Sequence, residues 1–100
     1  MRTMTDAAEV VNDDAASRFV ASVDGHVAEL VYERAGDRIV LLHTGVPDEL
    51  EGRGIGAQLV RATVDYASEH GLTVVAECPF AREWLRRHPD VAGRVTIAPS

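Results

Sequence analysis

From Arg18 to Val23 the chain alternates, with Phe19, Ala21 and Val23 on one face. A period of two predicts a half-buried strand. Asp24-Gly25 follows, a two-residue hairpin signal. The alternation resumes from His26 to Arg34, and Ala35-Gly36-Asp37 reads as a second turn. Arg38 to Val46 predicts a third strand, whose run Ile39-Val40-Leu41-Leu42 implies burial on both faces and a central position. Pro47 and the glycines after it cannot continue that strand. From Ile55 to His70 the period becomes helical, through Ile55, Leu59, Ala62 and Tyr66, and Gly71 supplies the stop. Thr73 to Cys78 is a short β-branched run that predicts a buried strand. Pro79 then opens an amphipathic helix to His88, with Glu83 and Arg87 an i, i+4 pair. Upstream, Val10-Val11 begins the fold and Asn12-Asp13-Asp14 reads as a turn. Downstream, Arg94 to Ala98 is either an edge strand or a tail.

The predicted class is α/β (α+β): three antiparallel strands, then a loop, helix, strand and helix, in a mixed twisted sheet flanked by helices. The helix between the third and fourth strands is a crossover, which makes those two strands parallel. With 100 residues, one domain is expected, over residues 10–98, preceded by a loose tail at 1–9.

Composition narrows the function classes. The net charge is −6, so no basic field attracts nucleic acid or anionic lipid. No apolar run approaches the roughly 18 residues that span a bilayer, and Met1 to Asn12 lacks a signal-peptide stretch. A cytoplasmic location is therefore expected. The single cysteine, Cys78, excludes an intrachain disulfide and a cysteine-rich zinc site. The histidines and acids show no metal-ligand spacing, so no metal is expected.

The chemistry concentrates in Gly52-Arg53-Gly54-Ile55-Gly56-Ala57, between a buried strand and a helix start. Glycines there permit positive φ and close approach of a ligand, and the helix N-terminus favours an anion such as pyrophosphate. A P-loop is excluded, because the Lys-Ser/Thr pair is missing. A dinucleotide fingerprint is formally met by Gly52, Gly54 and Ala57, with Glu77 about 20 residues on. The long loop from Pro47 and the preceding antiparallel strands argue against it. A ligand-free glycine-rich helix entry is the remaining alternative.

Glu51-Gly52-Arg53-Gly54-Ile55-Gly56 resembles the Q/R-x-x-G-x-G/A loop of the GNAT acetyltransferases. His43-Thr44-Gly45-Val46-Pro47, Cys78-Pro79-Phe80 and His88-Pro89-Asp90 extend the resemblance to a subgroup of very small, stand-alone GNAT-like proteins, over roughly Val10 to Val91. It implies an N-acetyltransferase using acetyl-CoA (coenzyme A) as cosubstrate. Backbone amides from Gly52 to Ala57, including Arg53, Gly54, Ile55 and Gly56, are then expected to hold the pyrophosphate, with the Arg53 side chain assisting. Thr44, Gly45 and Val46 are expected to pair with the pantetheine, and the Thr73 to Cys78 strand to splay away and open the slot. Glu51 departs from the pattern and is expected to face solvent.

The resemblance also implies catalytic groups. The tyrosine acid that many members carry on the helix after the crossover strand is absent from Pro79 to His88. Cys78, where the thioester is expected, is placed to protonate the leaving thiolate or to accept the acetyl group, or is a buried structural cysteine. His43 is the candidate base, or a hydrogen-bonded core histidine on the side of Ile39 and Leu41. Glu29 and Glu33 share a strand face suited to a cationic substrate, or are a solvated face. The acceptor is expected to be an amine, on a small molecule or a protein, reached through a site that is open or completed by a homo-oligomer. The alternative function is a non-catalytic acyl-CoA-binding module or adaptor.

Overall fold

The computed structural model describes residues 9–99. The expected tail at 1–9 lies, apart from the exposed Glu9, outside the described residues. Six strands form one mixed sheet in chain order: β1 (Val10–Asp13), β2 (Arg18–Val23), β3 (His26–Ala35), β4 (Arg38–Gly45), β5 (Thr73–Ala76) and β6 (Ile97–Ala98). The first four run antiparallel, and β4-β5 and β5-β6 pair in parallel. The helices are α1 (Ile55–His70), α2 (Pro79–Arg87) and α3 (Pro89–Ala92).

Local chemistry sets the turns. Asp24 and Gly25 both have positive φ, as a type I′ hairpin turn requires. α1 ends in a Schellman motif: Gly71 is left-handed, and Leu72 N–H donates to Ala67 O at 2.8 Å. Pro79 sits in the first turn of α2, where its missing N–H costs nothing.

One sheet face carries the core. Phe19, Ala21, Ala28, Leu30, Tyr32, Ile39, Leu41, Val74 and Ala76 are buried there against Leu59, Val60 and Val64 of α1 and Ala81 and Leu85 of α2. Both crossovers, β4-α1-β5 and β5-α2-α3-β6, advance in one direction along the sheet. Right-handed connections therefore lay all three helices on this one face. α1 and α2 touch where Arg61 lies over the Trp84 ring, 5.6 Å from its centroid. Tyr32 is held inside by donating to Asn12 Oδ1 at 2.7 Å, and burial pushes its phenol above the ordinary value.

Among the described residues the opposite face has no helix. Val20, Val31 and Val40 are only partly covered there, and Val11 and Val27 are exposed. This corrects the reading of Ile39-Val40-Leu41-Leu42. β4 is interior in strand order, but only Ile39 and Leu41 enter the core, and Leu42 is 41% exposed. No helix of the described residues is long and apolar enough to cross a membrane.

Candidate active site

The site begins with an irregularity in β4. Tyr32 pairs with Leu41, but Val31 pairs with His43, so Leu42 is an extra residue without an opposite partner. Such a bulge shifts the two-residue alternation by one. Thr44 therefore joins Leu30 and Leu41 on the helix side, while His43 and Gly45 turn to the helix-free face opposite Val31 and Glu29. His43 is exposed and is not a core neighbour of Ile39 and Leu41 as regular alternation implies.

The bulge coincides with a fork. β5 follows β4 only from Arg38 to Leu41. Leu41 O then accepts from both Glu77 N–H (3.0 Å) and Cys78 N–H (2.8 Å), and the chain turns into α2. From Leu42 to Gly45, β4 has a neighbour on one side only. Cys78 stands at the crotch, 3% exposed, with Sγ 3.3 Å from Thr44 Oγ1. The expected splaying therefore occurs, beginning two residues earlier than the run to Cys78 implied.

Below the fork lies a cavity of about 420 Å³ lined by Thr44, Val46, Leu50, Glu51, Gly52, Gly54, Ile55, Gly56, Ala57 and Phe80. Gly52 and Gly54 have φ of 83° and 75°, and a Cβ at either would meet nothing within 4 Å. Both glycines are therefore needed for their backbone conformation, and they leave open space beside it. The first main-chain bond of α1 runs from Gln58 N–H to Gly54 O at 3.1 Å. The amides of Ile55, Gly56 and Ala57 precede it and have no acceptor within the helix. No acidic residue occupies the first turn of α1 to oppose an anion. These features suit a pyrophosphate, and the unpaired β4 edge suits an extended pantetheine.

Of the residues expected around the cofactor, Thr44, Val46, Gly52, Gly54, Ile55, Gly56 and Ala57 line this cavity. Gly45 faces the other side of the sheet. Arg53 does not point in: its Nη1 donates to Asp24 Oδ2 in the β2-β3 turn, at 3.0 Å. Glu51 is exposed, as expected, yet borders the cavity. Phe80 was not anticipated. It is 44% exposed, and a Cβ on Gly56 would sit 2.8 Å from its Cζ. The hydrogen at Gly56 therefore lets the ring lie on the start of α1. His88 Nδ1 donates to Trp84 O (2.7 Å) and the ring stacks on the Trp84 ring, consistent with a helix-end role. The described residues contain no group of three or more His, Cys, Asp and Glu that could hold a metal ion.

This strand fork with a glycine loop at a helix start is the arrangement of an acetyltransferase-type fold. The family model of the GCN5-related N-acetyl-transferases matches residues 18–94, and the chain belongs to that family. It is similar to a GCN5-like protein from Staphylococcus aureus solved by NMR, with a TM-score of 0.71 and 29% identity over 92% of this chain and 91% of that one. Among named relatives, Protein NATD1 of Gallus gallus is 34% identical over 84 residues, covering 81% of this chain and 76% of the relative. Protein NATD1 of Homo sapiens is 40% identical over 63 residues, covering 62% of this chain and 56% of the relative.

Proposed function

We propose that the chain is an acetyl-CoA-dependent N-acetyltransferase acting on an amine. The observation that carries this reading is the fork between β4 and β5. It sets an unpaired strand edge beside the glycine-loop cavity, and Thr44, which lines that cavity, lies 3.3 Å from Cys78.

In this reading the bulge divides the work between the two faces of β4. The acyl thioester lies along Leu42 to Gly45, with its sulfur toward Cys78 on the helix side. The acceptor amine approaches from the helix-free face, beside His43. The amine lone pair attacks the thioester carbonyl carbon, the C–S bond breaks, and the amine proton passes to the His43 imidazole. The Cys78 thiol gives its proton to the departing thiolate, and Thr44, 3.3 Å away, orients that thiol. Cys78 and His43 emerge on opposite sides of the strand, which favours direct transfer over an acetyl-cysteine route. The missing tyrosine on α2 favours the second reading, a module that binds acyl-CoA without turnover.

Calorimetric titration with acetyl-CoA, with NAD as control, tests the binding claim. Micromolar affinity for acetyl-CoA alone is expected. Thiol release on adding amine acceptors, lost in Cys78→Ala while affinity persists, separates the enzyme from the module. Absence of acetyl-CoA binding overturns both.

A further inference from the structure

The helix-free face has its own groove. It is about 460 Å³ and is lined by Arg18, Val27, Glu29, Gly45, Val46 and Pro47. It backs onto the same β4 segment as the fork, and Val46 borders both cavities. Three features define it. Gly45 is the floor: a Cβ there would stand 3.2 Å from His43 Nε2 and 4.0 Å from Glu29 Cγ. The bare backbone thus leaves room between these two side chains. Arg18 anchors Glu29, its Nη1 donating to Oε1 at 2.8 Å, and this bond raises the guanidinium above its ordinary value. Asp13 Oδ2 lies 3.5 Å from Arg18 Nε. Two carboxylates against one guanidinium leave one negative charge, and Arg18 is already engaged by both. The remaining walls, Val27 (50% exposed), Val46 and Pro47, are apolar.

We propose that this groove is the acceptor subsite and that it takes a primary ammonium on an unbranched aliphatic stem. Glu29 is the recognising group, and Gly45 is the residue that keeps the passage to His43 open. The stem lies on Val27, Val46 and Pro47, and the ammonium meets the Glu29 carboxylate through the oxygen not given to Arg18. A terminal carboxylate on the same stem is disfavoured, because the net charge repels it. A diamine and a lysine side chain share this chemistry. The inference rests on the acetyl-transfer reading for turnover but not for binding.

The test uses 1,5-diaminopentane, 5-aminopentanoate and a lysine peptide amide as acceptors. With acetyl-CoA, the KM for 1,5-diaminopentane is expected to be about tenfold below that for 5-aminopentanoate, because both carry the ammonium and only the acid carries a carboxylate for the net charge to repel. Glu29→Gln is expected to erase that preference by raising the KM for 1,5-diaminopentane. Val27→Trp, which fills the groove without altering charge, raises KM for all three. Glu33→Gln, on the same face but outside the groove, leaves the preference intact. The lower KM of diaminopentane or peptide identifies the source. Equal KM values for the diamine and the amino acid, or a preference that survives Glu29→Gln, overturn the proposal. If acetyl-CoA does not bind, the transferase reading fails separately. The groove is then judged by NMR shifts of the Gly45 and Val46 amides on titration with 1,5-diaminopentane alone. Shifts that vanish in Glu29→Gln support it, and absent shifts overturn it.

Discussion

The two halves of β4 obey different rules. From Arg38 to Leu41 the strand has hydrogen-bonded neighbours on both sides, and Ile39 and Leu41 are fully buried. From Leu42 to Gly45 it has one neighbour, an extra residue and two exposed side chains, Leu42 and His43. The first half holds the sheet together, and the second is an incomplete ladder awaiting a partner. An unpaired strand edge beside a cavity is a binding element because its backbone groups are already extended.

Breaking this contrast is expected to have the following effects. Deleting Leu42 removes the extra residue and straightens the strand at the fork, while Leu41 and Thr44 stay on the helix side and His43 on the helix-free face. We expect loss of acetyl-CoA binding, read by calorimetry, because the strand no longer bends at the fork, with stability followed by denaturant unfolding. Leu41→Ala, in the paired half, is expected to cost about 2–5 kcal/mol in the same unfolding assay. Gly56→Ala forces the Phe80 ring off α1 into the cavity. Acetyl-CoA affinity is expected to fall about tenfold, roughly 1.4 kcal/mol, with stability nearly unchanged. Leu42→Ser, in the unpaired half, is expected to stay within about 0.5 kcal/mol of wild type. Tyr32 gives a pH test of the covered face. Its folded value is raised, so its contribution is complete below the ordinary tyrosine value of about 10 and is lost as pH rises through the raised one. Stability measured above pH 10 is expected to fall less steeply in Tyr32→Phe.

Much of this was legible because local signals agree with the fold. Asp24-Gly25 demanded a hairpin, the helical period from Ile55 to His70 matched α1 residue for residue, and the glycine loop marked the cavity. The bulge was not legible. In Ile39-Val40-Leu41-Leu42 every residue is apolar, so the run carries no mark of where the parity slips. His43 was therefore read onto the wrong face relative to Leu41. The strand expected from Thr73 to Cys78 is present as β5 but ends at Ala76, two residues early, for a related reason. Glu77 and Cys78 look strand-like, but Leu41 O captures both amides and ends the ladder. Phe80 lies four residues before Trp84 on α2, a spacing that places the two on one helix face. Its place over Gly56 depends on how two helices meet, which one-dimensional periodicity does not encode. The Arg18-Glu29 pair spans two strands and becomes visible only with the register.

The bond from Arg53 to Asp24 has a consequence for how the glycine loop answers its medium. Both side chains are exposed, and such pairs contribute about 0–1 kcal/mol and weaken as ions screen them. The loop thus carries a detachable cation. Dilute buffer fastens Arg53 to the hairpin, and concentrated salt or an arriving polyanion frees it. That side chain answers to ionic strength, whereas the fork beside it is held by backbone bonds and packing.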